Sequence, residues 1–346
     1  MAHGGDLYNK NIKYDFSVNL NPMDLPVEIK EAMDESLSEA GIYPDIEQRE
    51  FRRDIARLEH VSEDEVLGGN GASEIIMGVV RAINPKRALI LAPTFSGYRY
   101  ALESIEGCEI KEVHLEEEND YKVDNYILSL VDEFVDVVFI CNPNNPTGKC
   151  MDDYLLDNLI NRAYSRNVNV VVDECFLPLA DKGKSVAGMV KYLDNLYVIK
   201  AFTKSFAIPA LRIGYLISNE DNIKRVKGKL PEWNMSGLAL EVGKECARAS
   251  KETKFISKSK ELISKEREYL SNELKKLNIK VYDSDVNFIL ISSDNKLYDF
   301  LLQRGILIRD CSDYSGLNGK YRIAVKNHKE NEYLIETLKE ILAGNE

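Results

Sequence analysis

A lysine follows directly on an apolar stretch of the kind that predicts a buried strand. The stretch is VIKAFTKSFAIPALRIGY, residues 198–215, in which Lys204 comes after the apolar residues and Arg212 lies eight positions further on. A solvated surface lysine needs no such setting. A lysine that reacts as a free amine, or is held as an imine against a bound aldehyde, needs apolar walls and an anionic neighbour. The surroundings of Lys204 therefore indicate carbonyl chemistry.

Two loops that end apolar segments could supply neighbours for this lysine. In CNPNNPTGK, residues 141–149, two Asn-Pro pairs and a Thr-Gly predict a tight turn after a strand, with an asparagine amide able to point inwards. Doubly wound sheets bind ligands at that edge. VVVDE places Asp173 at the end of another strand, where a carboxylate needs a partner such as a protonated pyridine nitrogen. A helix cap or a salt bridge is the alternative role for an isolated aspartate.

A glycine-rich turn, GGNGASE at residues 68–74, opens a predicted helix. The free N–H groups and the positive end of that helix would hold a phosphate at Gly71, Ala72 and Ser73. The turn lacks both the spacing of a dinucleotide fingerprint and the lysine of a P-loop. A phosphate site, an aspartate for a ring nitrogen, an inward asparagine and a lysine after a strand are together the parts of a pyridoxal phosphate site. In this hypothesis Arg212 and Thr203 help to neutralise the cofactor phosphate.

The elements that must position these residues alternate along the chain. Apolar runs with few polar interruptions predict strands that are buried on both faces: RALILAP, VDVVFICNP, VNVVVDE, LYVIKAF and LRIGYLIS. Helical patterns separate several of these runs, and in GASEIIMGVVRAI the residues Ile75, Val79 and Ile83 recur at four-residue spacing. The alternation predicts an α/β domain with a largely parallel sheet over roughly residues 45–230.

The pattern changes after PEWNMSG. A long charged helical stretch is followed by the strand-like segments VNFILIS, GILIRD and YRIAVK and by a final helix, which predicts a smaller α+β unit. We expect an N-terminal segment at residues 1–30 that packs with this unit, a large domain at residues 31–235 and a small C-terminal domain at residues 236–346. The charge run HLEEEND, residues 114–120, predicts a solvated loop.

Composition narrows the class of partner. The net charge of −12 and the isoelectric point near 5.1 argue against a nucleic-acid surface and favour a small-molecule substrate. No apolar run is long enough to span a bilayer, and residues 1–16 resemble neither a signal peptide nor a transit peptide, so we expect a cytoplasmic protein. Six cysteines without a CxxC pair predict reduced thiols and no metal site.

The motifs YPD, GNGASE, PTFSGY, NPNNPTG, DECF, TK and LRIGY occur in that order. As a set they resemble the fold-type I pyridoxal-phosphate enzymes, and within them the branch of histidinol-phosphate aminotransferases and threonine-phosphate decarboxylases. The resemblance covers nearly the whole chain. It implies a large domain with a mainly parallel sheet flanked by helices, a smaller α+β domain, and pyridoxal 5′-phosphate as the cofactor.

The resemblance also implies roles around the cofactor. Lys204 would be the Schiff-base lysine and Asp173 the partner of the pyridinium nitrogen. Asn145 would bind the 3′-oxygen of the ring, and Phe95 would stack on it. Tyr43 would reach the cofactor phosphate of a neighbouring subunit, which implies a homodimer with shared sites. A core position for Phe95 and a surface position for Tyr43 are the alternatives.

At the substrate side, the resemblance makes Arg322 the clamp for a substrate carboxylate, assisted by Asn19. Arg309, with His3 and Gly5 of the loop at residues 3–5, would meet a substrate phosphate. A salt bridge to a neighbouring acid is the alternative for Arg309, and a disordered terminus is the alternative for His3.

One departure bears on the reaction. Aminotransferases of this group usually carry tyrosine where this chain has Phe176, and the missing hydroxyl resembles the decarboxylase. The segments HGG, DFSVNLNP and ILIRDCSDYSGLNGKYRIAVK favour it as well. Cys175 stands where alanine is common, and the expected role of this cysteine is packing under the cofactor.

We therefore expect a lyase that decarboxylates O-phospho-L-threonine to aminopropanol phosphate, in cobalamin biosynthesis if that is the substrate. The alternative is an aminotransferase of the histidinol-phosphate type, because the same lysine, aspartate and arginine serve both reactions. A third possibility, a non-catalytic pyridoxal-phosphate sensor domain of a regulator, would need a basic DNA-binding module, and the chain starts almost directly at the enzyme-like segment.

Overall fold

The computed structural model describes residues 4–8, 10–293 and 296–343. The strands are β1 (Tyr14–Asp15), β2 (Val66–Asn70), β3 (Arg87–Ala92), β4 (Glu109–His114), β5 (Val137–Cys141), β6 (Asn169–Asp173), β7 (Leu196–Ala201), β8 (Ile213–Ile217), β9 (Lys280–Val281), β10 (Phe288–Ser292), β11 (Ile306–Leu307), β12 (Arg309–Asp310) and β13 (Lys320–Ala324).

The α-helices are α1 (Val27–Leu37), α2 (Arg49–Glu59), α3 (Ala72–Ile83), α4 (Gly97–Glu103), α5 (Tyr126–Leu130), α6 (Asp153–Ser165), α7 (Phe202–Ser205), α8 (Glu220–Lys227), α9 (Gly237–Glu252), α10 (Phe255–Lys276), α11 (Leu297–Gln303) and α12 (His328–Ala343). Within the part of the chain that the structure describes, none of the helices is long and apolar enough to cross a membrane.

A seven-stranded sheet forms the centre of the larger unit, in the order β2-β8-β7-β6-β5-β3-β4. Its pairs are parallel except those that β8 makes with β7 and β2. Strands β5, β7 and β8 are buried along their whole length, and helices cover both faces. The predicted α/β fold with a mainly parallel sheet is confirmed.

Two strands of this sheet were not predicted. β2 has the sequence VLGGN, in which two glycines interrupt the apolar run that would predict a strand. It nevertheless pairs with β8 over its full length. β4 has the sequence EIKEVH and lies at the edge of the sheet, where polar residues alternate with half-buried ones. Both strands lack the continuous apolar run that marks a central strand.

The second unit contains an antiparallel sheet in the order β12-β13-β10-β9. β1 pairs in parallel with β11, with Tyr14 opposite Ile306, and the next residue, Phe16, is fully buried among the apolar side chains of this unit. The N-terminal segment around β1 therefore belongs to the same hydrophobic core as the C-terminal strands. The domain division given above stays a prediction.

The long helical stretch after residue 236 is two helices, separated at Thr253 and Lys254. α9 packs on α1 and α2, and its buried residues Val242 and Cys246 belong to the core beneath the central sheet. α10 packs on α12 and on the second sheet, where Leu270 and Leu274 are fully buried. The change of partner occurs between the two helices, which the charge pattern did not reveal.

Candidate active site

A cavity of about 210 Å³ lies at the carboxyl ends of β5, β6 and β7, where the second unit covers the central sheet. Eleven of the residues proposed from the sequence line it: Asn19, Ala72, Ser73, Phe95, Asn145, Asp173, Thr203, Lys204, Arg212, Arg309 and Arg322. The crossovers of the central sheet bring Asn145, Asp173 and Lys204 to one edge. Arg309 and Arg322 come from β12 and β13 of the second unit.

Lys204 lies in the short helix α7, which begins directly after β7 ends at Ala201. Its backbone carbonyl accepts a hydrogen bond from the N–H of Asn21 at 3.0 Å, which ties the N-terminal segment to this turn. Burial, followed by the charges of Arg322 and Arg212, lowers the pKa of the Lys204 amine to about 8. The neutral, nucleophilic amine is therefore accessible near neutral pH.

Asp173 is the last residue of β6 and is buried. Its Oδ2 accepts a hydrogen bond from the hydroxyl of Tyr98 at 2.7 Å, and its Oδ1 accepts one from the backbone N–H of Cys175 at 3.0 Å. Both bonds orient the carboxyl group at the floor of the cavity. Tyr98 was not proposed as a site residue, although it is the last residue of the PTFSGY motif.

The start of α3 faces Arg212. Gly71 precedes the helix with φ of 78°, and a Cβ built there would lie 2.3 Å from Nη2 of Arg212. Only glycine therefore lets the guanidinium approach the first turn of α3 so closely. Ala72 and Ser73 line the cavity next to it, together with the buried Thr203. A helix N-terminus and a guanidinium at one spot could hold a phosphate group.

Arg322, on β13, is buried and reaches across to the large unit. Its Nη1 donates to Oδ1 of Asn145 at 2.5 Å, and its Nη2 donates to the backbone carbonyl of Ser17 at 2.6 Å. Burial lowers its pKa from the usual arginine value. Its Nε and the Oδ1 of the buried Asn19 have no hydrogen-bond partner among the described residues. Such unpaired groups are costly unless a ligand completes them.

Arg309 also lines the cavity, but it has a partner. Its Nη2 donates to both carboxylate oxygens of Asp313, at 2.8 and 2.9 Å, and its guanidinium lies 5.3 Å from the ring centre of Tyr314. The structure therefore shows Arg309 in the salt bridge that was given as the alternative to a phosphate contact. Gly4 lines the cavity, and the N–H of Gly5 donates to Oγ of Ser17 at 2.8 Å. His3 lies outside the described residues.

Aromatic and thiol groups complete the walls. Phe95 lines the cavity and packs edge-on against Tyr98, and Phe176 packs edge-on against Phe288. Burial raises the pKa of the Cys175 thiol well above its usual value, so this thiol stays protonated and unreactive. Four further residues line the cavity and were not predicted from the sequence: Ser17, Val18, Cys141 and Tyr314. They lie within motifs that were quoted, so their position beside assigned residues was the available signal.

Tyr43 lies outside this cavity. Its side chain is 81% exposed and stacks at a tilt on Trp233, with 5.2 Å between the ring centres. Within one subunit it does not contribute to the site, and its proposed contact with a neighbouring subunit stays a prediction. No cluster of His, Cys, Asp or Glu side chains suitable for a metal ion occurs in residues 4–8, 10–293 and 296–343.

These groups fit pyridoxal phosphate: a lysine with a lowered pKa, an oriented carboxyl group, an aromatic side chain, and the first turn of α3 beside the guanidinium of Arg212. Comparison with known families agrees, because the family described as Aminotransferase class I and II matches residues 11–338. The chain belongs to this family. It is accordingly a pyridoxal-phosphate-dependent enzyme of the fold type that the sequence resembled.

Individual relatives of this class I and II aminotransferase family carry two different activities. The threonine-phosphate decarboxylase of Salmonella typhimurium is 30% identical over 356 residues, covering 99% of this chain and 97% of that protein. The histidinol-phosphate aminotransferase of Caldanaerobacter subterraneus subsp. tengcongensis is 32% identical over 344 residues, covering 98% and 95%. The crystal structure of the histidinol-phosphate aminotransferase from Clostridium acetobutylicum matches with a TM-score of 0.88 and 30% identity, covering 96% of this chain and 99% of that one.

Proposed function

We propose that this enzyme decarboxylates O-phospho-L-threonine, or a closely similar phosphorylated amino acid, to carbon dioxide and an amino-alcohol phosphate. The observation that carries the proposal is the pair Arg309 and Arg322. They are opposite each other on the neighbouring strands β12 and β13, and both line the cavity with Lys204. A phosphoamino acid has two anionic groups, a carboxylate and a phosphate, and guanidinium groups bind both kinds bidentately.

The cofactor would be held by groups already described. Asp173 would pair with the ring nitrogen, and Phe95 would cover one face of the ring. The phosphate of the cofactor would bind the first turn of α3, together with Thr203 and Arg212. Asn145 would contact the ring oxygen. When bound, pyridoxal phosphate supplies an electron sink for the bond that is broken at the substrate α-carbon.

The protein's contribution is orientation. The bound cofactor would supply its electron sink to one bond of the substrate α-carbon at a time, so the residues that hold the substrate would choose the reaction. Arg322 and Asn19 would hold the carboxylate, and Arg309 would hold the phosphate once Asp313 releases it. Lys204, whose pKa of about 8 allows it to carry or release a proton near neutrality, would return a proton to the α-carbon.

An aminotransferase acting on histidinol phosphate is the second candidate, and the 32% identity to such an enzyme favours it. In that reaction the Cα–H bond is oriented for cleavage and Lys204 moves its proton. Phe176 supports the decarboxylase, because its ring places no hydroxyl group on the cavity wall that it forms. The two candidates differ in the tilt of the substrate, which the same arginines determine.

The deciding experiment uses the purified, cofactor-loaded protein with O-phospho-L-threonine and no keto acid, and measures the release of carbon dioxide. Release that disappears in Lys204→Ala supports the decarboxylase and the role of Lys204. Absence of release, together with amino transfer from histidinol phosphate or glutamate when a keto acid is added, would establish the aminotransferase instead.

We also propose that the enzyme is a cytoplasmic homodimer in which Tyr43 of one subunit contacts the cofactor phosphate of the other. The exposure of Tyr43 and Trp233 supports this, since large aromatic side chains are enriched in subunit interfaces. Sedimentation should give the mass of a dimer, and Tyr43→Ala should weaken cofactor binding. A monomer that binds cofactor normally would contradict the proposal. A place in cobalamin biosynthesis follows only if phosphothreonine is the substrate.

A further inference from the structure

An acidic segment of the large unit, residues 115–121, follows β4 and contacts the second unit. The charge pattern predicted a solvated loop here. In the structure, Glu117 accepts hydrogen bonds from Nζ of Lys280 at 2.5 Å, from Nζ of Lys320 at 2.9 Å and from the hydroxyl of Tyr282. All three donors belong to the second unit, at β9, β13 and the residue after β9, so one carboxylate of the large unit binds two strands of the other.

The contact has features that separate it from an ordinary surface ion pair. Hydrogen bonds from Lys280, Tyr282 and Lys320 lower the pKa of Glu117 to about 2. Tyr282 is 4% exposed and Lys320 is 7% exposed, and the Tyr282 ring packs 5.4 Å from that of Tyr121. Networks of several groups with buried members contribute more than isolated exposed pairs do.

The other end of the acidic segment contacts the loop that carries Asn145. Asp120 forms an ion pair with Nζ of the buried Lys149. The backbone of Lys149 in turn accepts a hydrogen bond from the N–H of Asn144 at 2.8 Å, beside Asn145. The acidic segment therefore contacts two elements that line the cavity. Asp120 binds the loop that carries Asn145, and Glu117 binds strand β13.

Strand β13 carries Lys320 two residues before Arg322. Successive residues of a strand point to opposite faces, so these two side chains lie on one face of β13 and move together with it. Arg322 meets Asn145 directly at 2.5 Å. The position of Arg322 relative to Asn145 thus depends on how β13 is held against the acidic segment.

We propose that Glu117 is a positioning residue, which holds β13 against the large unit and so sets the place of Arg322 in the cavity. This inference rests on the proposed function in one respect, namely that Arg322 binds the substrate carboxylate. Glu117 itself lines no part of the cavity, so its effect passes through Lys320 and the strand.

The test compares Glu117→Gln with Glu118→Gln, an exposed neighbour that removes the same charge. In Glu117→Gln we expect KM for the amino-acid substrate to rise about ten-fold, because displacement of a binding group by a distant substitution can cost up to about a hundred-fold. We expect kcat to fall by a smaller factor, because Arg322 in the proposed function also orients the carboxylate that is lost. Cofactor affinity should be unchanged. Glu118→Gln should resemble the unaltered enzyme.

A second pair of measurements separates positioning from a general loss of stability. Lys320→Gln should reproduce the rise in KM, and the double variant should be no worse than either single one, because both remove one interaction. Backbone hydrogen exchange in β13 should rise in Glu117→Gln and stay unchanged in Glu118→Gln, whichever substrate the enzyme uses.

The possible failures are distinct. If the unaltered enzyme releases no carbon dioxide from phosphothreonine, the proposed function fails, and the KM comparison is made with the amino donor that the enzyme does accept. If exchange in β13 and KM are the same in Glu117→Gln and Glu118→Gln, the positioning role is wrong. A loss of cofactor affinity together with the rise in KM would likewise overturn it in favour of a general structural role.

Discussion

The buried hydroxyl of Tyr98 donates a hydrogen bond to Oδ2 of Asp173 at 2.7 Å, so a side chain from α4 fixes a carboxyl group at the end of β6. The Tyr98 ring also stacks on Phe139 and meets Phe95 edge-on. Burial raises the pKa of the phenol well above its usual value, so the hydroxyl remains a donor at every working pH. The pairing gives Asp173 an orientation before any ligand binds.

Replacement of this tyrosine should weaken cofactor binding without unfolding the protein. Tyr98→Phe keeps the ring contacts and removes the donor to Asp173. Since a hydrogen bond to a charged group contributes about 1.5–3 kcal/mol, we expect cofactor affinity to fall about ten-fold or more. Titration of the cofactor-free protein with pyridoxal phosphate measures this. Tyr100→Phe, on the exposed side of the same helix, is the control, and equal affinities for the two variants would contradict the prediction.

The reactivity of Lys204 should depend on pH around its lowered pKa. In the proposed function the neutral amine of Lys204 would be the form that reacts with the aldehyde, so the rate of covalent attachment to the cofactor-free protein should rise with pH and level off above about 8. Arg322→Gln removes one of the charges that lower this pKa and should move the midpoint to higher pH. Absorbance changes after mixing, on either side of pH 8, follow the reaction. A midpoint near the ordinary lysine value in the unaltered protein would show that the amine is not perturbed.

The lowered pKa of Lys204 should also affect the stability of the protein. Because the pKa of Lys204 lies below its usual 10.5 in the folded protein, the unfolded chain holds more protons on this lysine between about pH 8 and 10.5. The free energy of unfolding of the cofactor-free protein should therefore gain a contribution as pH rises through that window. Lys204→Met should lack it and should be more stable than the unaltered protein at pH 7. Urea unfolding at several pH values tests both statements, and parallel pH curves for the two proteins would contradict them.

A buried ion triad beneath the site should carry stability. Nζ of Lys200 lies 2.5 Å from Glu59 and 3.3 Å from Glu174, which is fully buried. Burial alone would lower the pKa of Lys200, but Glu174 and Glu59 raise it above its usual value. Lys200→Met leaves two carboxylates without their shared cation and should cost about 3–5 kcal/mol.

Urea unfolding measures the loss, and Lys224→Met is the matched control. Lys224 is exposed and pairs with Glu220 one helical turn away, so its replacement should cost less than about 1 kcal/mol. A cost for Lys200→Met no larger than that of the control would show that the buried triad contributes nothing.

Asp313 should oppose the binding of phosphorylated substrates. It occupies Nη2 of Arg309 with both carboxylate oxygens, so a substrate phosphate must compete with it. We expect Asp313→Asn to lower KM for the phosphorylated amino acid about three-fold or more, since one charged competitor is removed. The unphosphorylated amino acid is the internal control and should bind unchanged. A rise in KM for the phosphorylated compound would mean that Asp313 supports the substrate site instead of competing with it.

The residues that follow buried strands were predictable from the sequence. Asp173 ends β6, and Asn145 and Lys204 follow β5 and β7. The apolar runs of these strands mark them as central, and parallel strands bring their ends to one edge. For these three residues a local pattern and a general rule of sheet topology were sufficient. The glycine-rich turn at Gly71 was predictable as the start of a helix, and its use for a phosphate stays a prediction.

Contacts that depend on the other unit were not predictable. Glu117 lies in a run of acidic residues that reads as solvated, and its partners Lys280 and Lys320 are more than 160 positions away. No residue near Tyr98 in its helix indicates that its hydroxyl has a buried partner. The hydrogen bond to Asp173 forms only because α4 packs on the sheet. Periodicity reports which face of an element is apolar, but it does not report which distant side chain will cover it.

The hydrogen bond from Arg322 to the carbonyl of Ser17 joins residues 305 positions apart in the chain. During synthesis, the strands from β2 to β8 and then α9 leave the ribosome long before β13 does, and domains fold as units as they emerge. The part of the cavity that contains Asp173 and Lys204 can therefore form before Arg322 is available to bind the carbonyl of Ser17. If Arg322 has the proposed role, the nascent enzyme completes the groups for its cofactor before it completes those for its substrate.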